Sequence, residues 1–171
     1  ITIDADSSSR LLQDVEVCMR GAIFFNSATG KLQGKTSVAD LRKQAERVLE
    51  EAKEGVDATT ENELLDSVVD VLVTAAGYLA QAAERGYDLH KAIHRIRLNN
   101  EAKLFYDKGE ALQHALWYKA KGEDVYLQEV IVKGTTLPPI YSIKRTRDDK
   151  VMKPRNHLAV DLSDCLPEGG K

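Results

Sequence analysis

The stretch Glu63-Leu-Leu-Asp66-Ser-Val-Val-Asp70-Val-Leu-Val73 decides how this chain is read. Its apolar residues recur at helical spacing. At about 100° per residue, its three carboxylates fall within roughly 60° of arc. Gly77 continues the same line, and most of the remaining circumference is Leu, Val and Ala. A helix that is apolar on most sides does not keep a stripe of carboxylates without a counter-charge, because a buried, unpaired carboxylate is costly and neutralises instead. Neither Lys nor Arg stands four residues from any of the three.

The preceding helix carries a second acidic set, Glu50, Glu51 and Glu54. Glu51 and Glu54 share a face and flank the apolar stripe. Taken alone, this set reads as a solvated helix edge that pairs with Lys53 or Arg47. Taken with Glu63, Asp66 and Asp70, it reads as a site for a hard divalent cation, Mg²⁺ or Mn²⁺, since clustered carboxylate oxygens are what such ions select. The chemistry that uses such a cluster is phosphoryl or nucleotidyl transfer. There, two or three ions neutralise phosphate oxygens, and a spare carboxylate takes a proton from water. Glu50 or Glu51 suits that last role, and spacing does not choose between them.

The rest of the chain supplies a mainly α frame. Arg10 to Phe25 reads as a first helix and Asn26 to Lys35 as a loop. Ser37 and Asp40 form a capping box that opens a second helix to about Glu54, with Gly55 as its stop. Thr59, Thr60 or Asn62 caps a third helix, which runs to Arg85 and ends at Gly86. Asp88 caps a fourth, through Leu104, with Asn100 and Lys103 near its apolar face. Glu110 to Lys119 is a shorter helix. The character changes after Gly122. Val125 to Val132 is β-branched and aromatic, hence a strand. Gly134 to Pro139 is a break, and Tyr141 to Thr146 with Val151 to Lys153 reads as a hairpin. The division expected is a helical catalytic domain over residues 1–121 and a β-hairpin appendage with an irregular tail over 122–171.

Bulk properties narrow the class. The 171 residues, 43% apolar and 30% charged, suit a folded domain with a modest appendage and not a disordered chain. No run approaches the ~18 apolar residues of a membrane span. A net charge of −3 argues against duplex nucleic acid as a partner. Cys18 and Cys165 match no metal spacing and read as reduced thiols. No signal peptide is read in the stretch, which opens on Ile1, and a cytoplasmic location is expected; a removed leader is compatible with that opening. His90 and His94, one helical turn apart, lack the further ligand a zinc site needs. Cys18, Phe24, Phe25 and Trp117 read as packing groups, and Lys144, Arg145 and Arg147 as a solvated hairpin face.

In order, Glu50-Glu51-Ala-Lys-Glu54, Glu63-Leu-Leu-Asp66 with Asp70, Gly86-Tyr-Asp88-Leu89 and Asn100-Glu-Ala-Lys103 resemble the all-α nucleotide pyrophosphatase superfamily. That superfamily includes MazG-like proteins, dimeric dUTPases and phosphoribosyl-ATP pyrophosphohydrolases. The resemblance covers about residues 42–104. The tail, Asp149-Lys-Val-Met-Lys153-Pro and Asp161-Leu-Ser163, is similar to phage-encoded members, which would make the compartment a host cytoplasm. The resemblance implies a four-helix MazG-like core in a homodimer or homotetramer. It implies hydrolysis of a nucleoside triphosphate to the monophosphate and pyrophosphate. It puts metal on Glu51, Glu54, Asp66 and Asp70, with Glu63 as a further ligand, and substrate on Asn100 and Lys103. A dGTP preference follows only from the MazZ-type phage subgroup, which converts dGTP to dGMP. This sequence departs from the pattern at Ser67, where a Glu is usual, and in residues 105–140, which read as an insertion. The competing reading is a non-catalytic helical oligomerisation or binding module with a relict acidic site.

Overall fold

The computed structural model describes residues 5–131 and 138–167, with the side chains of residues 5–8 left undescribed. Five helices come first: α1 (Ala5–Ala28), α2 (Val38–Asp57), α3 (Glu61–Glu84), α4 (Leu89–Glu101) and α5 (Lys108–Ala120). Two strands, β1 (Val125–Val130) and β2 (Ile140–Arg145), and a short 3₁₀ turn at Ser163–Cys165 follow. The mainly α reading with a small β element in the C-terminal part is what the structure shows. Among the described residues, no helix is long and apolar enough to cross a membrane. The described residues form two compact units, one from residues 5–90 with 162–167 and one from 91–131 with 138–161. The border lies inside α4, not at residue 121.

In the first unit three helices pack, α1 and α2 each against α3. The capping box at Ser37 and Asp40 is present, with Asp40 N–H donating to Ser37 Oγ and Ser37 N–H to Asp40 Oδ2. Thr60 caps α3 in the same reciprocal way, its partner being Glu63. Gly86, at φ +91°, ends α3. There the Tyr87 N–H donates to Ala82 C=O and the Gly86 N–H to Ala83 C=O, the paired bonds of a glycine-terminated helix.

Gly55 corrects the expected helix stop. It lies inside α2, which runs on to Asp57. A Cβ at Gly55 would fall 2.5 Å from Ser67 Oγ, so this glycine serves close approach between α2 and α3, not chain reversal. Gly77 does the same for α1: a Cβ there would lie 2.9 Å from Asn26 Nδ2. α1 itself reaches Ala28, so Asn26 belongs to the helix and not to the loop.

The interior at these crossings is small and polar. Ala22, Leu41, Ala76 and Ala82 are buried beside Asn26, Gln44, Ser67 and Gln81. The large apolar side chains point elsewhere. Leu12, Val17 and Phe24 of α1 are each at least 70% exposed, and Leu65 and Val68 of α3 are 63% and 59% exposed. The sequence reading of Phe24 and Phe25 as packing groups therefore does not hold within the single chain.

The second unit has a conventional apolar core of Phe105, Ala111, Ala115, Val125, Tyr141 and Ile143. α5 covers the two-stranded antiparallel sheet, in which Val125 pairs with Arg145 and Val130 with Ile140. The expected hairpin is present: the chain turns at residues 146–148, the Arg145 N–H donates to the Lys150 carbonyl and the Met152 N–H to the Ile143 carbonyl, and β1 is a further partner of β2. β2 pairs along its whole length with β1, and the Val151 segment contributes one bridge, to Lys144. The end of the expected strand at Val132, and most of the break after it, lie outside the described residues. Residues read as an insertion, Phe105 and α5 among them, supply core side chains of this unit.

Candidate metal centre

The acidic site is assembled where α2 and α3 run antiparallel. The Ser67 hydroxyl donates to the Glu51 carbonyl at 2.6 Å. Further along the pair, Gln44 Nε2 donates to the Thr74 carbonyl at 3.0 Å. These two bonds set the register of one helix against the other. With Gly55 letting the backbones close, the register places Glu51 on α2 beside Asp70 and Asp66 on α3.

Glu51 and Asp70 are half-buried, whereas Glu50, Glu54 and Asp66 are exposed. The Glu51 carboxyl is held above its ordinary pKa. Burial is the larger cause, followed by the charges of Asp70, Glu54, Glu50 and Asp66. Glu51 thus feels four other sequence-selected carboxylates, from both helices. Arg47, one turn before Glu51, does not pair with it; its guanidinium donates to Gln44 Oε1 at 3.3 Å. The Arg47 pairing that the solvated-edge reading expected is therefore not made.

Glu63 stands apart from this group in its bonding. Its Oε2 accepts from the Thr59 N–H at 2.7 Å, the Thr59 hydroxyl at 3.0 Å and the Thr60 N–H at 3.1 Å. Those bonds hold its carboxyl below the ordinary value. The oxygen expected on a metal is engaged at the helix start.

Asn100 and Lys103 lie in the other compact unit. α4 ends at Glu101, so Lys103 sits in the turn beyond it and not on a helix face. Lys103 Nζ donates to Asn100 Oδ1 at 2.7 Å. Two groups expected on substrate thus satisfy each other.

The donor set fits a hard cation in chemistry: carboxylates, two of them half-buried, with the Glu51 pKa raised by burial and then by its neighbours. It is not a formed shell. Among the described residues, no three Asp, Glu, His or Cys side chains converge closely enough to hold an ion. Glu50, Glu54 and Asp66 are exposed and so retain the rotamer freedom to close on one. The residue that sequence reading registered only as a departure is Ser67, and its signal was legible. A Ser on the buried face of α3, between Asp66 and Val68 and opposite the helical Gly55, marks a close helix crossing.

Compared with protein-family models, characterised proteins and solved structures, the chain matches none.

Proposed function

We propose that this protein is a metal-dependent nucleoside triphosphate pyrophosphohydrolase, taking a (deoxy)nucleoside triphosphate and water to the monophosphate and pyrophosphate. The observation that carries the reading is Glu51: a half-buried carboxylate, without Arg47 as a partner, held above its ordinary pKa first by burial and then by four other carboxylates from two helices. Such a gathering of like charges around a half-buried carboxylate works against folding. A divalent cation would convert it from repulsive to favourable. The ordered resemblance to the all-α pyrophosphatases supplies the reaction class.

In this reading Glu51, Glu54, Asp66 and Asp70 would hold two or three Mg²⁺ or Mn²⁺ ions. When bound, these neutralise phosphate charge and acidify water. Glu50 is left as the carboxylate that accepts the proton of the attacking water, or Glu51 takes that part. Ser67 positions Glu51 through its backbone. Glu63 is left out of the ligand set, because it caps α3. No step is assigned to Asn100 and Lys103. The exposed apolar side chains of α1 and α3 support assembly as a homodimer or homotetramer. A dGTP preference rests on the phage subgroup alone.

The second reading, a binding module with a relict acidic site, draws on the lack of a formed ligand shell among the described residues. Pyrophosphate release from a panel of dNTPs with Mg²⁺ or Mn²⁺ separates the two. Release that is abolished by Asp70→Asn is expected. No release from any nucleotide would sink the enzyme reading.

A further inference from the structure

The first unit contains a cavity of about 390 Å³ between the α1–α2 loop, α2 and the C-terminal half of α3. That volume falls within the roughly 300–1,000 Å³ usual for small-molecule sites. Its charge is one-sided. Lys31, Lys35, Lys43 and Arg47 all line it, against Asp40 and Glu84.

Both carboxylates are already engaged. Asp40 accepts from the Ser37 N–H and hydroxyl as the helix cap. Glu84 accepts from the Gly34 N–H at 2.6 Å and from the Thr36 hydroxyl. None of the four cations forms an ion pair within 4 Å among the described residues. Lys31 and Arg47 work against each other: burial, then the Arg47 charge, holds the Lys31 ammonium below its ordinary pKa.

The chain's own geometry keeps Lys31 there. Gly30, at φ +72°, ends α1. The Lys31 N–H then donates to the Asn26 carbonyl at 2.8 Å and the Gly30 N–H to the Ser27 carbonyl at 3.1 Å. A second observation points to a ligand. Gln81 also lines the cavity, is only 4% exposed, and its Oε1 has no hydrogen-bond partner. Most buried polar atoms in folded proteins are paired, and an orphan acceptor in a cavity wall is open to a donor from a ligand.

We propose that this cavity binds the phosphate groups of a phosphorylated small molecule without requiring a metal. Lys31 and Arg47 are its principal anion contacts, and Gln81 accepts an N–H or O–H from the same ligand. Arg47 stands four residues before Glu51, so this part of the cavity wall lies about one helical turn along α2 from the acidic site. That the phosphorylated molecule is the enzyme's nucleotide rests on the pyrophosphohydrolase reading; the anion site itself does not.

The test is calorimetric titration of the full chain with inorganic pyrophosphate, at low ionic strength in excess EDTA, so that no metal contributes. Saturable binding is expected. Arg47→Gln and Lys31→Gln, which retain much of the side-chain stem, should each weaken it about tenfold or more, with unchanged helical circular dichroism. Lys53→Gln changes a cation of α2 outside the cavity and should leave binding as it was. So should Asp70→Asn, although it abolishes turnover. No binding by the parent protein at millimolar pyrophosphate would overturn the site, as would equal weakening by Lys53→Gln. Metal-free binding with no release from any dNTP would keep the site and remove the enzyme reading. Turnover with no metal-free binding would do the reverse.

Discussion

The Ser67 hydroxyl donates to the backbone carbonyl of Glu51 at 2.6 Å, across the α2–α3 crossing at which Gly55 stands in place of a larger residue. A neutral side chain thus fixes the height of one acidic helix against the other, and with it the distance between the Glu51 and Asp70 carboxylates. An acidic residue at position 67 would enter the helix crossing, where a second helix already lies within van der Waals contact.

Ser67→Ala should cost about 1 kcal/mol, the net worth of a typical intramolecular hydrogen bond. Gly55→Ala should cost about 1–3 kcal/mol by overpacking, since its Cβ would sit 2.5 Å from Ser67 Oγ. The double variant should lose less than the sum, because removing the hydroxyl relieves the clash, leaving Ser67 Cβ at 3.3 Å as the nearest neighbour. Urea unfolding of the three variants measures this cycle. Strict additivity would mean that the two residues do not meet.

The raised pKa of Glu51 has a definite sign. Over the window between its ordinary and its folded value, the native state holds more protons than the unfolded one. Stability therefore falls as pH rises through that window, and stays reduced above it. Glu51→Gln removes the effect. In EDTA near neutral pH, the variant should melt above the parent protein, and the difference should vanish below the ordinary glutamate value. Millimolar Mg²⁺ should raise the melting temperature of the parent, since an ion that binds only the native state stabilises it. It should do so less for Glu51→Gln. A parent protein indifferent to metal, with nucleotide present, would contradict the metal centre.

Glu63 separates a helix cap from a metal ligand. Thr60→Ala should destabilise by about 1 kcal/mol, as lost N-caps do. Glu63→Gln weakens the cap's charge but keeps an acceptor, so turnover should survive it, in contrast to Asp70→Asn. The lowered pKa of Glu63 makes its own contribution present above its unfolded value and lost as pH falls through the folded one. Loss of activity in Glu63→Gln with unchanged melting would return Glu63 to the ligand set.

The exposed apolar residues of α1 and α3 predict self-association. Light scattering at micromolar concentration should give a dimer or tetramer. Leu65→Glu and Val68→Glu, both at positions more than half exposed in the single chain, should shift it toward monomer without unfolding the helices. An active protein that stays monomeric at all concentrations would remove a second chain from the account.

Much of the frame was readable from local chemistry. The capping box at Ser37 and the stop at Gly86 depend on residues within a few positions of one another, so the sequence alone placed those helix ends; it narrowed the start of α3 to Thr59, Thr60 or Asn62, and the structure chose Thr60. The mainly α character, and the acidic stripe of α3, likewise follow from periodicity. The tertiary structure decided what depends on distant neighbours. Gly55 resembles a stop in sequence and proved to be a contact, because its partner Ser67 lies on the next helix. β2 pairs locally with the Val151 segment, as its sequence suggests, but its longer ladder is with β1, because its apolar side chains, Tyr141 and Ile143, are buried with α5 and Val125. Glu63 shares an arc with Asp66 and Asp70, yet bonds Thr59 and Thr60, because a helix's first turn leaves N–H groups that demand an acceptor. The cation-lined cavity gathers Lys31, Arg47 and Gln81 from a loop and two helices. No spacing along the chain brings them together; only the closure of α1 and α2 on α3 does.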